Sequence, residues 1–404
     1  MAPGDDTEKT IFTTSGSIFT TKELNYRILT IGNVHTKPKK GRCKIKVAIL
    51  GAGFAGLACA RHLEQNGIYP DIFEKRHRVG ERFPNMEAIM HLMHRPIKDS
   101  LVYINDLLDV DLQPAAVVHT VEMHSPNHKT IINGNLGYST IRGHDDRSWE
   151  YQLARYIKSD IIFNTQPDYQ ELAQEYDWVV VATGDSIISR DLGVWTTDIE
   201  PFLRGCIIKG DFDPGTIKLW FNQSLSKQGY VYFAPYDQDE ACISVAAAPS
   251  SPEDIDTLWA KTVDYLGITP EPGSEFKVEE YKIGRVATRQ VRNILLTGNA
   301  GGFIEPFMGF GQVPSLLSGF YAAKAIATGA DYNRLTSWFN TRYQNSLVLR
   351  NYMNQLDNKA FDRLVLALSN KVSQSIINSS HIVQLSILAK MAAPRSKLSG
   401  GMNK

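Results

Sequence analysis

The sequence predicts an α/β fold: a Rossmann-like nucleotide-binding domain that carries an inserted antiparallel sheet and closes on C-terminal helices. Three observations predict it. An apolar strand runs into closely spaced glycines and a helix at 44–67, short alternating segments with turn residues fill 204–249, and a second glycine-rich turn follows another apolar strand at 293–311.

Residues 1–42 precede the first nucleotide-binding strand. They hold a short repeat, Ile11-Phe12-Thr13-Thr14 and Ile18-Phe19-Thr20-Thr21, around Ser15-Gly16-Ser17, which reads equally as a small hairpin or a mobile arm. Lys37-Pro38-Lys39-Lys40-Gly41-Arg42 is broken by proline and glycine and reads as a solvated linker. The 44–50 stretch alternates and then becomes continuously apolar, as a buried parallel strand does. It ends in Gly51-Ala52-Gly53-Phe54-Ala55-Gly56. Gly51 allows the tight turn, Gly53 lets backbone approach a pyrophosphate, and Gly56 lets the helix pack on the strand. Phe54 and Ala55 open that helix, whose free NH groups and positive dipole end suit phosphate. Leu57, Ala60 and Leu63 share one helical face, and Gly67 ends it. A short strand then reaches Glu74, about 20 residues past the glycines, where a carboxylate accepts from ribose hydroxyls.

The basic turn 75–82 follows, near the expected adenosine; Lys75 and Arg82 are its candidate cofactor contacts, although most charge runs are solvated faces. Residues 85–108 read as two helical pieces on either side of Pro96, with Ile89, Leu92 and Met93 on the first. His91 and His94 stand three apart there without a further ligand, so no metal site is expected. Segments 117–124 and 129–133 flank Ser125-Pro126-Asn127-His128 as a hairpin, and 146–157 reads as a helix followed by a strand at 161–163. The apolar strand 177–184 ends in Thr183-Gly184, the kind of tip that meets a nucleotide at the carboxyl edge of a parallel sheet. Antiparallel strands are expected at 205–209, 216–222, 230–234 and 241–248, a helix through 266 capped by Ser251-Pro252-Glu253, and a strand returning over 276–286. After the 293–297 strand come Gly298-Asn299-Ala300-Gly301-Gly302 and Pro306-Phe307-Met308-Gly309-Phe310-Gly311. So many glycines mean that backbone comes close to something flat or anionic, and the helix 313–327 starts where its dipole could stabilise charge. Amphipathic helices are expected at 335–352 and 361–368, and 382–391 is an apolar segment that packs on the domain or rests on a membrane surface.

The resulting organisation is an N-terminal extension (1–43), a nucleotide-binding domain in three parts (44–82, 137–192, 284–332), a substrate domain in two (83–136, 193–283) and a C-terminal helical region (333–404). Lys+Arg and Asp+Glu both number 43, so nothing points to nucleic acid. Cys43, Cys59, Cys206 and Cys242 are far apart, which suits reduced thiols in a cytoplasmic protein better than a zinc site or a disulfide frame. No apolar run is long enough to span a bilayer, and the N-terminus lacks the apolar core of a signal peptide.

Four ordered segments resemble the flavoprotein superfamily of para-hydroxybenzoate hydroxylase and, within it, the geranylgeranyl reductase family. They are 51–74; Ala182-Thr183-Gly184-Asp185-Ser186-Ile187-Ile188-Ser189-Arg190; the aromatic strand Gly229-Tyr230-Val231-Tyr232-Phe233-Ala234-Pro235; and 298–323, whose Gly302-Phe303 and Ser318-Gly319 lean towards the reductases. The resemblance implies FAD, with Gly51, Gly53, Gly56 and Glu74 on its ADP half, Gly298, Asn299 and Pro306 to Gly311 on the ribityl chain and isoalloxazine, and Arg147 on the flavin side. It implies reduction of carbon–carbon double bonds in an apolar, isoprenoid or prenyl-lipid substrate. Tyr232 is the candidate catalytic proton donor, and Tyr230, Tyr232 and Phe233 are expected to line the substrate cavity. The electron donor is left open between NADPH and a protein, and a peripheral membrane contact stays open too. Three departures stand out. Asn299 replaces the usual ribityl-binding Asp, Thr183 replaces an Asp associated with pyrophosphate and pyridine-nucleotide use, and 82–86 has no thiol where many reductases carry one. Two rival readings stand beside this one: a flavin monooxygenase on the same fold, against which Gly302-Phe303 and Thr183 count, and a flavoprotein without net redox chemistry, whether cyclase or inactive partner, which the three departures keep alive.

Overall fold

The computed structural model describes residues 10–12, 18–20, 45–83, 85–143, 145–248, 254–278, 281–379 and 385–392. The chain divides into two units, 1–44 and 45–404. In the first, β1 (Thr10–Phe12) pairs antiparallel with β2 (Ile18–Thr20), Ile11 opposite Phe19. The Ser15-Gly16-Ser17 turn and the basic run 37–42 lie outside the described residues.

In the second unit, β3 (Val47–Leu50) is buried along its length and runs through the glycine turn into α1 (Phe54–Gln65) and β4 (Asp71–Phe73). The next segment departs from the expected helix. Met86–Met90 forms β5, followed by the single turn α2 (His91–His94) and by α3 (Ser100–Leu108), which Asp99 caps by accepting from Leu101 N at 2.9 Å. The apolar spacing of Ile89, Leu92 and Met93 suits a helix, but Met86–Met90 gains a full antiparallel partner, and tertiary pairing outweighs local pattern. That partner is β7 (Lys129–Ile141), joined to β6 (Ala116–His124) by the expected turn, with Ser125 N donating to His128 O at 2.9 Å. β7 runs eight residues beyond the expected 133, so the boundary at 136/137 falls inside it.

Ser148 caps α4 (Trp149–Ala154), and β8 (Ile161–Ile162), α5 (Tyr169–Glu175), β9 (Trp178–Val181) and α6 (Ile187–Asp191) follow. Then come β10 (Trp195–Ile199), β11 (Phe202–Lys209), β12 (Thr216–Trp220), β13 (Tyr230–Pro235), β14 (Glu240–Ala247) and α7 (Asp254–Leu266); the expected cap at 251–253 lies outside the described residues. The single strand expected over 276–286 is two, β15 (Phe276–Val278) and β16 (Ile283–Val286), which pair with different partners, β11 and β10. β17 (Gln290–Val291) and β18 (Ile294–Leu296) lead to a 3-10 turn at Gly298–Gly301 and to α8 (Gln312–Thr328). The C-terminal helices are α9 (Tyr332–Thr336), α10 (Trp338–Met353), α11 (Asn358–Leu368), α12 (Lys371–Ser379) and α13 (Leu385–Ala392).

Two sheets organise this unit. The six-stranded sheet has the order β17-β18-β9-β3-β4-β8 and is parallel except at β17. The eight-stranded sheet has the order β15-β11-β14-β13-β12-β6-β7-β5 and is antiparallel except where β12 runs parallel to β6. α1 and α8 share one core cluster, and the approach is close: a Cβ at Gly319 of α8 would run into the Ala55 carbonyl. α7 covers one face of the large sheet, burying Ile255, Leu258 and Trp259 against Val231, Phe233 and Val245, at roughly 1.5–3 kcal/mol for each large side chain. Cys59, Cys206 and Cys242 are free and buried, and Cys43 lies outside the described residues. Among the described residues no helix is long and apolar enough to cross a membrane.

Candidate active site

A cavity of about 970 Å³ is reached by both glycine turns and by the large sheet. That is the upper end of the range for small-molecule sites. Its nucleotide end is built by backbone. Gly51 sits at φ +107°, and a Cβ there would strike the Ala182 carbonyl; at Gly56 a Cβ would strike the Gly51 carbonyl. Gly53 differs from both, because nothing in the protein lies within 4 Å of where its Cβ would be. The first and third glycines therefore close the turn, and the middle one leaves space for a ligand over the start of α1. Glu74 braces the loop: Ala52 N donates to its Oε2 at 2.8 Å and Arg76 N to its Oε1 at 2.9 Å. A carboxylate has about four acceptor sites, so both oxygens keep capacity for ribose hydroxyls.

The β9 tip lies across the same cavity. Thr183 Oγ1 donates to Asp185 Oδ1 at 3.2 Å, and Asp185 pairs with Arg82 at 3.3 Å, both side chains 15% exposed. The acid missing at 183 thus has a counterpart two residues on, on the cavity wall. Asn299 joins this strand tip to the second glycine turn, its Nδ2 donating to Gly184 O at 3.1 Å, a bond an aspartate could not make. Asn299 is only 4% exposed, and its Oδ1 has no hydrogen-bond partner. From that turn, Gly309, Phe310 and Gly311 lead into α8, so a second helix N-terminus opens on the cavity.

Between the two ends lies a buried charged cluster. Arg142, just past β7, donates to Glu150 Oε1 at 2.5 Å and to Glu87 Oε1 at 2.9 Å, and its guanidinium lies 4.3 Å from the centre of the Phe54 ring. Burial works against the Arg142 charge, but Glu150 and Glu87 outweigh it and hold its pKa above the ordinary value. Glu87 also accepts from Gln312 Nε2 at the start of α8, and Gln312 Oε1 accepts from Thr140 Oγ1 at 3.0 Å. Glu87, Arg142 and Gln312 all line the cavity.

At the far end the large sheet forms the wall. Strand alternation sends Tyr230, Tyr232 and Ala234 to the cavity. Phe233 faces the other way, onto Phe212 and the α7 cluster, so its expected place in the lining is corrected by the two-residue period of β13. Tyr232 accepts from Asn85 Nδ2 at 2.8 Å, and burial holds its pKa well above that of an ordinary phenol. Tyr230 donates to Met308 O at 2.6 Å.

Gly51, Gly53, Phe54, Ala55, Glu74, Lys75, Arg82, Thr183, Gly184, Tyr232, Gly298, Asn299, Gly309, Phe310 and Gly311 all line this one cavity. Gly56, Arg147 and Pro306 do not. Arg147 is instead half exposed and paired with Asp145 at 2.7 Å and Asp237 at 3.4 Å; the arginine that reaches the cavity from this region is Arg142. The residues fit FAD: a turn open at Gly53, a carboxylate at Glu74, an orphaned acceptor at Asn299 for a ribityl hydroxyl, and a helix N-terminus beyond Gly309. Glu87, Arg142, Gln312 and Arg350 escaped the sequence reading; Glu87, Gln312 and Arg350 each stand beside apolar residues as a charge or amide, and Arg142, in a polar stretch, gives no signal there.

Residues 49–88 match the NAD(P)-binding Rossmann-like domain family. A digeranylgeranylglycerophospholipid reductase from Methanosarcina acetivorans is 22% identical over 380 residues, spanning 82% of this chain and 90% of that protein. The crystal structure of a geranylgeranyl bacteriochlorophyll reductase-like protein from Thermoplasma acidophilum matches with a TM-score of 0.62 at 16% identity, covering 86% of this chain and 100% of that one. A flavin-dependent brominase matches with a TM-score of 0.59 at 15% identity, covering 86% and 97%. The fold is thus shared with flavoproteins of differing chemistry.

Proposed function

We propose that this chain, a geranylgeranyl reductase-like FAD-dependent oxidoreductase, saturates carbon–carbon double bonds of an apolar, isoprenoid or prenyl-lipid substrate. The observation that carries the proposal is the wall facing the same cavity as the glycine turns: Val121, Ile217, Leu219, Ala246, Ala247 and Val278 give it an apolar surface. Such a wall binds a hydrocarbon chain by removing it from water. FAD, when bound and reduced, supplies the hydride for one alkene carbon, and one proton must reach the other. The N-terminal turns of α1 and α8 would hold the cofactor's two ends, and the Glu87–Arg142–Gln312 cluster would fix the lining between them. Tyr232 is the proposed proton donor. Asn85 donates to its oxygen, Ser244 hydrogen-bonds with the same hydroxyl, and the phenol faces the cavity in its protonated form.

The test is anaerobic. The purified FAD-loaded protein is reduced with dithionite and mixed with a prenyl lipid while the flavin band is followed. Reoxidation, with a product that has gained a hydrogen pair at a former double bond, is the expected result. A flavin that the lipid leaves reduced, but that reacts quickly once oxygen is admitted and yields a hydroxylated product, would replace the proposal with a monooxygenase.

A further inference from the structure

Helix α10 turns one face to the loop before Gly309 and presents Arg342, Ser346 and Arg350 to it, four residues apart. Arg342 is paired with Glu305, and Ser346 Oγ accepts from Phe307 N at 2.9 Å. Arg350 has no such carboxylate. It donates from one nitrogen to Phe307 O at 3.4 Å and from another to Gln228 O, its Nε has no hydrogen-bond partner, and among the described residues it forms no ion pair. Yet it is only 5% exposed, and it lines the cavity beside Tyr230 and Met308.

Among the described residues, the other guanidinium groups with a buried nitrogen lacking a hydrogen-bond partner, Arg82 and Arg342, each have an acid, Asp185 and Glu305. Arg142 has Glu87 and Glu150. Arg289 also lacks an acid, but it donates to Gly301 O at 3.1 Å and Thr336 O at 3.0 Å, lies 4.4 Å from the centre of the Phe303 ring, and does not line the cavity. Arg289 therefore reads as a structural tie. Arg350 keeps a donor unused on a cavity wall, and burying a charge without its counter-charge is costly unless a ligand brings one. Burial accordingly pulls the Arg350 pKa below its ordinary value.

We propose that Arg350 anchors an oxyanion, phosphate or carboxylate, at one end of the substrate. The substrate is then an amphiphilic anion whose chain lies along the β12–β13 wall, where Ile217, Leu219 and Tyr230 face the cavity. The guanidinium suits this role because it matches both oxyanions with paired donors and stays charged. This rests on the reading of the cavity's apolar wall as a substrate site.

Straight-chain probes separate the anchor from the reaction, since they have no double bond to reduce. The FAD-loaded full-length protein is titrated by calorimetry with tetradecyl phosphate, tetradecanoate and tetradecanol. At least one of the two anions should bind about tenfold or more tighter than the alcohol, and the tighter of the two identifies the headgroup. Arg350→Leu should erase that difference while the alcohol keeps its affinity, and Arg350→Lys should retain part of it. If Arg350→Leu does not fold, the wild-type preference and the partial retention in Arg350→Lys decide. An alcohol that binds wild type as tightly as the anions, an absence of anion binding, or variants that lose all three probes in equal proportion would overturn the anchor. Tight anion binding with no flavin reoxidation by prenyl chains would instead leave the anchor standing and sink the reductase reading.

Discussion

At its nucleotide end the cavity is made of backbone: two glycine turns, two helix N-termini and the carbonyl of Gly184, all within contiguous stretches of chain. Beyond that end, through the charged cluster to the large sheet, it is made of side chains gathered from positions as far apart as Glu87 and Arg350. The difference shows where each end can fail. Backbone sites fail sterically, because a single added carbon closes them. Side-chain sites fail electrostatically, because removing one partner strands another in a buried place.

The strongest way to sharpen this contrast is to add a methyl group at two glycines three apart. Gly56→Ala puts a Cβ onto the Gly51 carbonyl, so strand and helix must separate. The expected cost exceeds about 3 kcal/mol, seen as loss of soluble folded protein and of flavin together. Gly53→Ala meets no protein atom and leaves an ordinary backbone angle. It should unfold at a temperature close to that of wild type and bind FAD at least about tenfold more weakly, measured by flavin release on dilution. If both variants behaved alike, the division of labour among these glycines would be wrong.

In the charged cluster the corresponding change is Arg142→Leu, which strands Glu150 and Glu87. Breaking a buried ion pair from one side costs about 3–5 kcal/mol. Urea unfolding should show that loss, and Arg142→Leu combined with Glu150→Gln should recover part of it. A single variant as stable as wild type would mean that the cluster is solvated.

The same contrast explains what could be read from the residues. Gly51, Gly53, Gly56 and Glu74 carry their geometry in their spacing, because a turn, a helix start and a strand end are local events. β13 was legible as a strand, but which of Tyr232 and Phe233 faces the cavity depends on which side α7 covers, and that is a tertiary fact. β5 shows the limit for secondary structure: Met86–Met90 pairs with a segment about fifty residues on in the chain, which no local window contains. Arg350 left a faint trace. It shares the buried face of α10 with Phe339, Tyr343 and Ser346, and a charge in that stripe signals a buried partner or a buried function.

The smallest expected effect belongs to Tyr230, which links the two ends by donating to Met308 O just before the Gly309 turn. Burial pushes its pKa up to about 12, with Arg350 pulling it down and Glu87 pushing it further up. An unfolded phenol titrates near ~10, so the folded protein favours the neutral form. Its contribution is therefore complete below about pH 10 and is lost as pH rises from there towards 12. At pH 9, Tyr230→Phe should be less stable than wild type by about 0.5–1.5 kcal/mol in urea, the worth of one hydrogen bond. At pH 11.5 that gap should narrow, because only wild type must keep this phenol protonated. Tyr232 and Tyr281 are also raised by burial and are present in both proteins; the Tyr281 shift owes a lesser part to Tyr230 itself, and its main cause, burial, is common to both. In an Arg350→Leu background the narrowing should begin at the same pH, which the unfolded phenol sets, but continue to higher pH and grow larger, since the cation that lowers the folded Tyr230 pKa is gone. A gap that stays constant with pH would mean that Tyr230 is solvated in the folded protein, and the sheet end would then be wetter than its apolar lining implies.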